Sequence, residues 1–347
     1  MSALGRLIAQ ENTASDLLAY LVELDPLPLV GVLGLPEGKY AARREARAGG
    51  RRSRLDLLVY RSGATDPVAV LELKGASGEH GDQLERYAAW AASLTDVPRL
   101  MYCTLDGGTT GAPPAPWQLL SLIDLFATWQ DSAHPHAAWL AGEVTTLLRQ
   151  WDRQADDVIG SATGWYVPDL VTRRIAAALG DDAEALRTKA GNPMLLAYRR
   201  LPGDSEAWLG VDLRCEGRDR PKRPWLFRPF VEVSFSDPTA QAQATARRLA
   251  VGLHDAMTLA TVQRVVKNPD ALSANKHGGL AGFRDGAPVF YHDKQVRLAT
   301  QFRLDVRQVD RHQVAEMIRA VVDHLETVAA ELHLPGQNAT AETESQQ

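Results

Sequence analysis

Asp56, Glu72 and Lys74 are the residues of this chain best placed to do chemistry. Asp56 lies in Arg54-Leu-Asp56-Leu-Leu-Val-Tyr60, Glu72 and Lys74 lie in Val68-Ala-Val-Leu-Glu72-Leu-Lys74, and Gln83 and Tyr87 follow four residues apart. The two Leu- and Val-rich runs flank Arg61-Ser-Gly-Ala-Thr-Asp-Pro67, a turn composition, so the spacing predicts a β-hairpin. Side chains alternate faces along a strand, which puts Glu72 and Lys74 on one face. With 62–66 as the loop, Tyr60 opposes Val68 and Asp56 opposes Glu72, at Cβ separations of about 4.5–5.5 Å. A slip of one residue would part the two acids.

Two carboxylates this close on apolar strands repel each other where water screens them poorly. A shared proton, neighbouring cations or a divalent metal would relieve that. Magnesium is a hard ion that is commonly held by one or two carboxylates plus waters and phosphate oxygens. Lys74 beside such an ion could stabilise negative charge on a phosphate or orient the attacking water. The competing reading of Glu-x-Lys is a solvated strand face. Against it, Leu57-Leu-Val and Val68-Ala-Val-Leu are nearly continuous apolar runs, the pattern of strands buried on both faces, and a charge within such a strand calls for a partner or a function.

The segment resembles the PD-(D/E)xK phosphodiesterase superfamily, with Asp56 at the position of the first acid and Glu72-Leu-Lys74 at the E-x-K. Gln83-Leu-Glu-Arg-Tyr87 resembles the Q-x-x-x-Y helix motif of many branches. Glu11-Asn-Thr-Ala-Ser15-Asp-Leu-Leu-Ala19 resembles the E-N-x-x-S-x-x-L-A opening of a bacterial branch associated with mobile elements and phage defence. Leu55 stands where the family usually has proline. The likeness covers about the first third of the chain, to Asp106. It implies a restriction-endonuclease-like α/β core of order αβββαβ, with a central mixed sheet flanked by helices. It also implies a Mg²⁺- or Mn²⁺-dependent nuclease that hydrolyses phosphodiesters with metal-activated water, DNA more than RNA. Asp56, Glu72 and Glu11 would bind metal, Lys74 would act on charge or water, and Gln83 would hold the site or the substrate. A homodimer or a partner protein of a defence system fits the same branch. The rival reading is a catalytically silent member that binds nucleic acid or protein.

Local patterns must position these groups. Thr13-Ala-Ser-Asp16 reads as a helix N-cap before the apolar stripe Leu17, Leu18, Leu21 and Leu24, with Glu11 just ahead of it. Leu84, Tyr87, Ala88 and Ala91 predict a helix over 81–94, and Val97–Leu105 a further strand. Six arginines crowd Arg43–Arg54, and Arg44, Arg47, Arg51, Arg52 and Arg54, with Tyr87, are candidates to meet nucleic acid. The alternatives are a solvated hairpin for the arginines and a core position for Tyr87.

At 347 residues the length suits two domains: a nuclease-like domain over 1–154, an α+β domain over 165–334 and a disordered tail over 336–347. Net charge is −5, so any nucleic-acid footprint is local. The only two cysteines, Cys103 and Cys215, each fall in an expected strand, which argues against a disulfide framework and against a Cys-based zinc site. Without an apolar run long enough for a bilayer or a signal peptide, the cytoplasm is the expected compartment. Helices are expected at 117–130, 136–151, 168–179, 238–260 and 308–332, and strands at 194–200, 206–214, 225–235, 287–291 and 296–305. Arg214, Arg218, Arg220, Lys222, Arg223 and Arg228 read as a solvated loop entering a strand, with nucleic-acid contact as the alternative. Gly107–Pro116 lacks a Gly-Lys-Ser/Thr ending and is no phosphate cradle.

Overall fold

A computed structural model describes residues 3–8, 11–47, 54–74, 82–105, 113–157, 167–188, 191–201, 207–215, 225–234, 251–275, 289–292 and 295–333. Two compact units result, with Val171 the last residue of the first and Thr172 onward forming most of the second. Outside the described residues lie Arg51 and Arg52, most of 155–164, the start of the Gly/Pro loop, the basic residues 218–223, the first part of the 238–260 segment and the tail.

The first unit holds a five-stranded sheet in the order β1 (Tyr40–Arg47), β2 (Arg54–Arg61), β3 (Ala69–Lys74), β4 (Arg99–Thr104), β5 (Gln118–Ser121). The first three strands form an antiparallel meander, and β4 and β5 add parallel to β3. The hairpin pairs Leu57 with Leu71, Leu58 with Val70 and Val59 with Ala69, the offset expected from the turn. Every residue of β3 is buried, as its two-sided apolar run requires.

Helices α1 (Ala3–Ile8), α2 (Glu11–Leu24) and α3 (Leu27–Val32) precede the sheet. Helix α4 (Gln83–Ala92) makes the crossover from β3 to β4, α5 (Leu122–Ala127) and α6 (Pro135–Asp157) follow, and the boundary between the units falls within α7 (Val167–Leu179). Leu84, Tyr87 and Ala91 of α4 cluster with Leu58, Val70, Leu100 and Tyr102, so α4 covers the sheet face that Glu72 and Lys74 share with Val70. Helix α2 packs on β1, β2 and β3. Its Ser15 meets Arg44, whose strand partner is Leu57, which places α2 over the opposite face.

Two expectations in this unit are corrected. Helix α2 begins at Glu11, ahead of the proposed cap, so Ser15 is an interior residue, buried and bonded to Arg44. Residues 118–121 are a strand, because Gln118-Leu-Leu-Ser pairs with Met101–Thr104. The helix starts only after Ser121, whose hydroxyl accepts the Asp124 N–H.

The second unit is built on an eight-stranded antiparallel sheet. Strands β10 (Leu272–Ala274), β13 (Phe302–Leu304), β9 (Trp225–Ser234), β8 (Ala207–Cys215), β7 (Pro193–Arg200) and β6 (Ala183–Arg187) lie in that order, β12 (Gln295–Ala299) also pairs with β9, and β11 (Val289–His292) pairs with β12. Helix α9 (Arg311–His333) packs on β8 and β7. The strand expected over 296–305 is two strands on one offset, broken opposite Pro229, which has no N–H to give the ladder. The described part of the 238–260 segment does not run on as one helix: Thr258 is extended and caps a new one, α8 (Leu259–Val265). Arg214 and Arg228 are no solvated loop either: Arg214 pairs with the buried Asp212 along β8, and Arg228 pairs with it from β9.

Candidate active site at the ends of β3 and β4

The start of β2, the ends of β3 and β4 and the start of α4 meet at one end of the five-stranded sheet. The carboxyl ends of parallel strands are where open α/β sheets place their ligands. Here they bring Asp56, Glu72, Lys74, Thr104 and Gln83 together.

Glu72 is 1% exposed and Lys74 5%. Lys74 Nζ lies 2.9 Å from Glu72 Oε1. Gln83 Nε2 donates to the same oxygen at 2.9 Å and to the Tyr87 hydroxyl at 3.1 Å. That hydroxyl donates in turn to the Arg54 carbonyl at 2.6 Å, so the i,i+4 pair on α4 is tied both to the acid and to the strand that carries Asp56. Beyond the Leu57↔Leu71 pair, the Leu73 amide donates to Asp56 Oδ2 at 2.8 Å. The Asp56 carboxylate takes the place of a strand carbonyl and is thereby anchored to β3 at the residue that follows Glu72.

The electrostatics agree with this convergence. Burial pushes the Tyr87 phenol up, the Gln83 hydrogen bond opposes that, the Glu72 and Asp56 charges push it further up and Lys74 pulls it down. Burial, then Asp56 and Glu72, push the Cys103 thiol well above its ordinary range. Both acids therefore act on neighbours reached from two different elements.

Gln83 Oε1 and Thr104 Oγ1, both buried, lack a hydrogen-bond partner among the described residues. Thr104 is the strand partner of Lys74. Buried oxygens left in this way call for a water, an ion or a ligand. Among the described residues no three His, Cys, Asp or Glu side chains cluster as a metal site. A hard divalent ion needs only one or two carboxylates and completes its shell with other oxygens, so Asp56, Glu72 and the Gln83 oxygen fit one.

Of the remaining candidates, Arg44, Arg54 and Tyr87 have described side chains. Glu11 opens α2, which covers the other face of the sheet, and its side chain lies outside the described residues, as does that of Arg47. Arg44 is turned to α2, donating to Ser15 Oγ at 3.1 Å and pairing with Asp16, instead of facing outward. Arg54 is exposed. Tyr87, expected near nucleic acid, is 3% exposed with its hydroxyl engaged, so it buttresses the site from within. Thr104 was missed because the register between parallel strands joined by a helix is not written in local sequence. In comparisons with family models, curated proteins and solved structures, nothing matches this chain. Among the described residues no helix is long and apolar enough to cross a membrane.

Proposed function

We propose that this chain is a divalent-metal-dependent nuclease with a restriction-endonuclease-like core, acting on DNA in preference to RNA. The observation that carries the reading is the buried convergence of Asp56, Glu72, Lys74 and Gln83 at the strand ends. Asp56 and Glu72 would hold Mg²⁺ or Mn²⁺, with Gln83 Oε1 available to it. The ion's contribution would be Lewis-acid polarisation of a phosphoryl oxygen and a lowered pKa for water. Lys74 brings a fixed ammonium to the place where charge develops on the phosphate, in a poorly solvated setting where such a group counts most. Glu72 holds that ammonium in position, the Leu73 amide anchors Asp56, and Gln83 orients Glu72. The element order α2, β1–β3, α4, β4 supports the core assignment.

The test is incubation of the pure protein with supercoiled plasmid, linear duplex, single-stranded DNA and RNA, each with Mg²⁺, Mn²⁺ or EDTA. Cutting of DNA with either metal and none with EDTA is expected. Binding without cutting under every condition would favour the silent-binder alternative.

A further inference from the structure

At the other end of the β1–β2 hairpin lies a cleft of about 510 Å³. Its chemistry is one-sided. Lys39, Arg43 and Arg61 line it with Tyr60, Ser62 and Thr65, and among the described residues no acid does. The three cations are exposed. The Arg43 guanidinium stacks 4.9 Å from the centre of the Tyr60 ring, and Arg61 Nη2 donates to the Glu37 carbonyl at 3.3 Å. Stacking and a backbone bond hold both guanidinium groups in place, and neither contact neutralises their charge. Tyr60 opposes Ala41 and Leu58 opposes Arg43, so Arg43 and Tyr60 stand on the face where Leu58 meets α4, the face that also carries Glu72.

From this arrangement we infer that the cleft binds the phosphodiester backbone of a nucleic acid on its way to or from the Asp56–Glu72–Lys74 site. The inference rests on the nuclease reading for its direction, and on the cleft's own charge for its ligand. Fixed guanidinium groups, a lysine and two hydroxyls suit phosphate oxygens, and no acid among the described lining residues competes with them. Tyr60 lies four residues along β2 from Asp56, about 13 Å at strand rise. At about 3.4 Å per nucleotide of one duplex strand, the cleft meets the backbone roughly four nucleotides from the site. The net charge of −5 makes such a local cation patch the kind of footprint this chain can use.

The experiment is fluorescence anisotropy of labelled DNA duplexes of 6 and 20 base pairs, and of RNA of matching lengths. It is run in EDTA from 50 to 200 mM salt, with wild type, a Lys39→Gln/Arg43→Gln/Arg61→Gln variant, the charge-keeping Arg43→Lys/Arg61→Lys variant, and inorganic phosphate as competitor. For the long duplex, the neutralised variant should lose about 2.7 from the slope of log K against log salt, three contacts at about 0.9 each. Wild type should therefore weaken about 40-fold more than that variant across the salt range. The charge-keeping variant should retain most of the wild-type slope, and the advantage of the long duplex over the short one should shrink only in the neutralised variant. Equal slopes and affinities in wild type and the neutralised variant would overturn the cleft assignment. So would full competition by inorganic phosphate at concentrations that leave ionic strength unchanged, which would mark a site for the free anion. A slope that falls as expected in a protein that cuts nothing would overturn the nuclease reading and leave the cleft standing.

Discussion

Burying Glu72 and Lys74 beside each other takes two charges out of water, at several kcal/mol each before their attraction is counted. A fold that needed only stability would be served as well or better by apolar residues at positions 72 and 74, so the pair is better explained by chemistry than by packing. Lys74→Ala should therefore lower stability by about 3–5 kcal/mol, because it strands a buried carboxylate. The double change Glu72→Leu/Lys74→Met should recover that loss or exceed wild type by about 1–4 kcal/mol, as read from denaturant melts. A double variant no more stable than Lys74→Ala would mean that the pair is a structural fixture. Cys103 gives a second prediction at this scale. Its thiol sits above its ordinary value of 9.0 and the Tyr87 phenol above 10.0. A group whose folded pKa is raised holds its proton longer when folded, so stability is level below about pH 9 and falls as pH rises beyond it. Cys103 should resist alkylation at pH 8 in the native protein and react fully in denaturant; rapid native labelling would contradict its burial.

At the scale of elements, backbone approach decides what each position tolerates. Gly210 lies opposite Phe230 across β8 and β9, and a Cβ there would stand 2.1 Å from the Ala197 carbonyl and 2.7 Å from the Phe230 ring. Gly210→Ala should cost at least about 1–3 kcal/mol. Gly142, inside α6, has open space around it, and Gly142→Ala should add about 0.5–1 kcal/mol by removing a glycine from a helix interior. Thermal melts of the two variants moving in opposite directions would confirm the contrast. The same scale shows what the sequence made legible. The hairpin offset followed from the turn and the period of two; the i,i+4 spacing of Gln83 and Tyr87 placed both on α4. Gln118-Leu-Leu-Ser was misread because a short apolar run reads alike as strand or helix until a partner strand is known. Arg44 was misread because its partners, Ser15 and Asp16, are nearly thirty residues away, and a charge run does not say which member turns inward. Thr104 and the Arg43–Tyr60 cleft depend on strand order and loop shape, which local patterns do not encode.

For the whole molecule, a chain of net charge −5 can hold nucleic acid only where cations gather, and can hold a cation where its carboxylates converge. Added Mg²⁺ or Mn²⁺ should stabilise the native protein through that second feature, by about 1.4 kcal/mol at ten times the dissociation constant. The rise in melting temperature should disappear in Asp56→Asn. An equal rise in wild type and variant would place the ion elsewhere. The most direct test of the central claim is the rate at which wild type, Lys74→Ala and Asp56→Ala cleave one labelled duplex in Mg²⁺, with folding of each checked by circular dichroism. The account predicts cutting by wild type and a loss of at least about 10²-fold in both variants; cutting at the wild-type rate by either folded variant would contradict it.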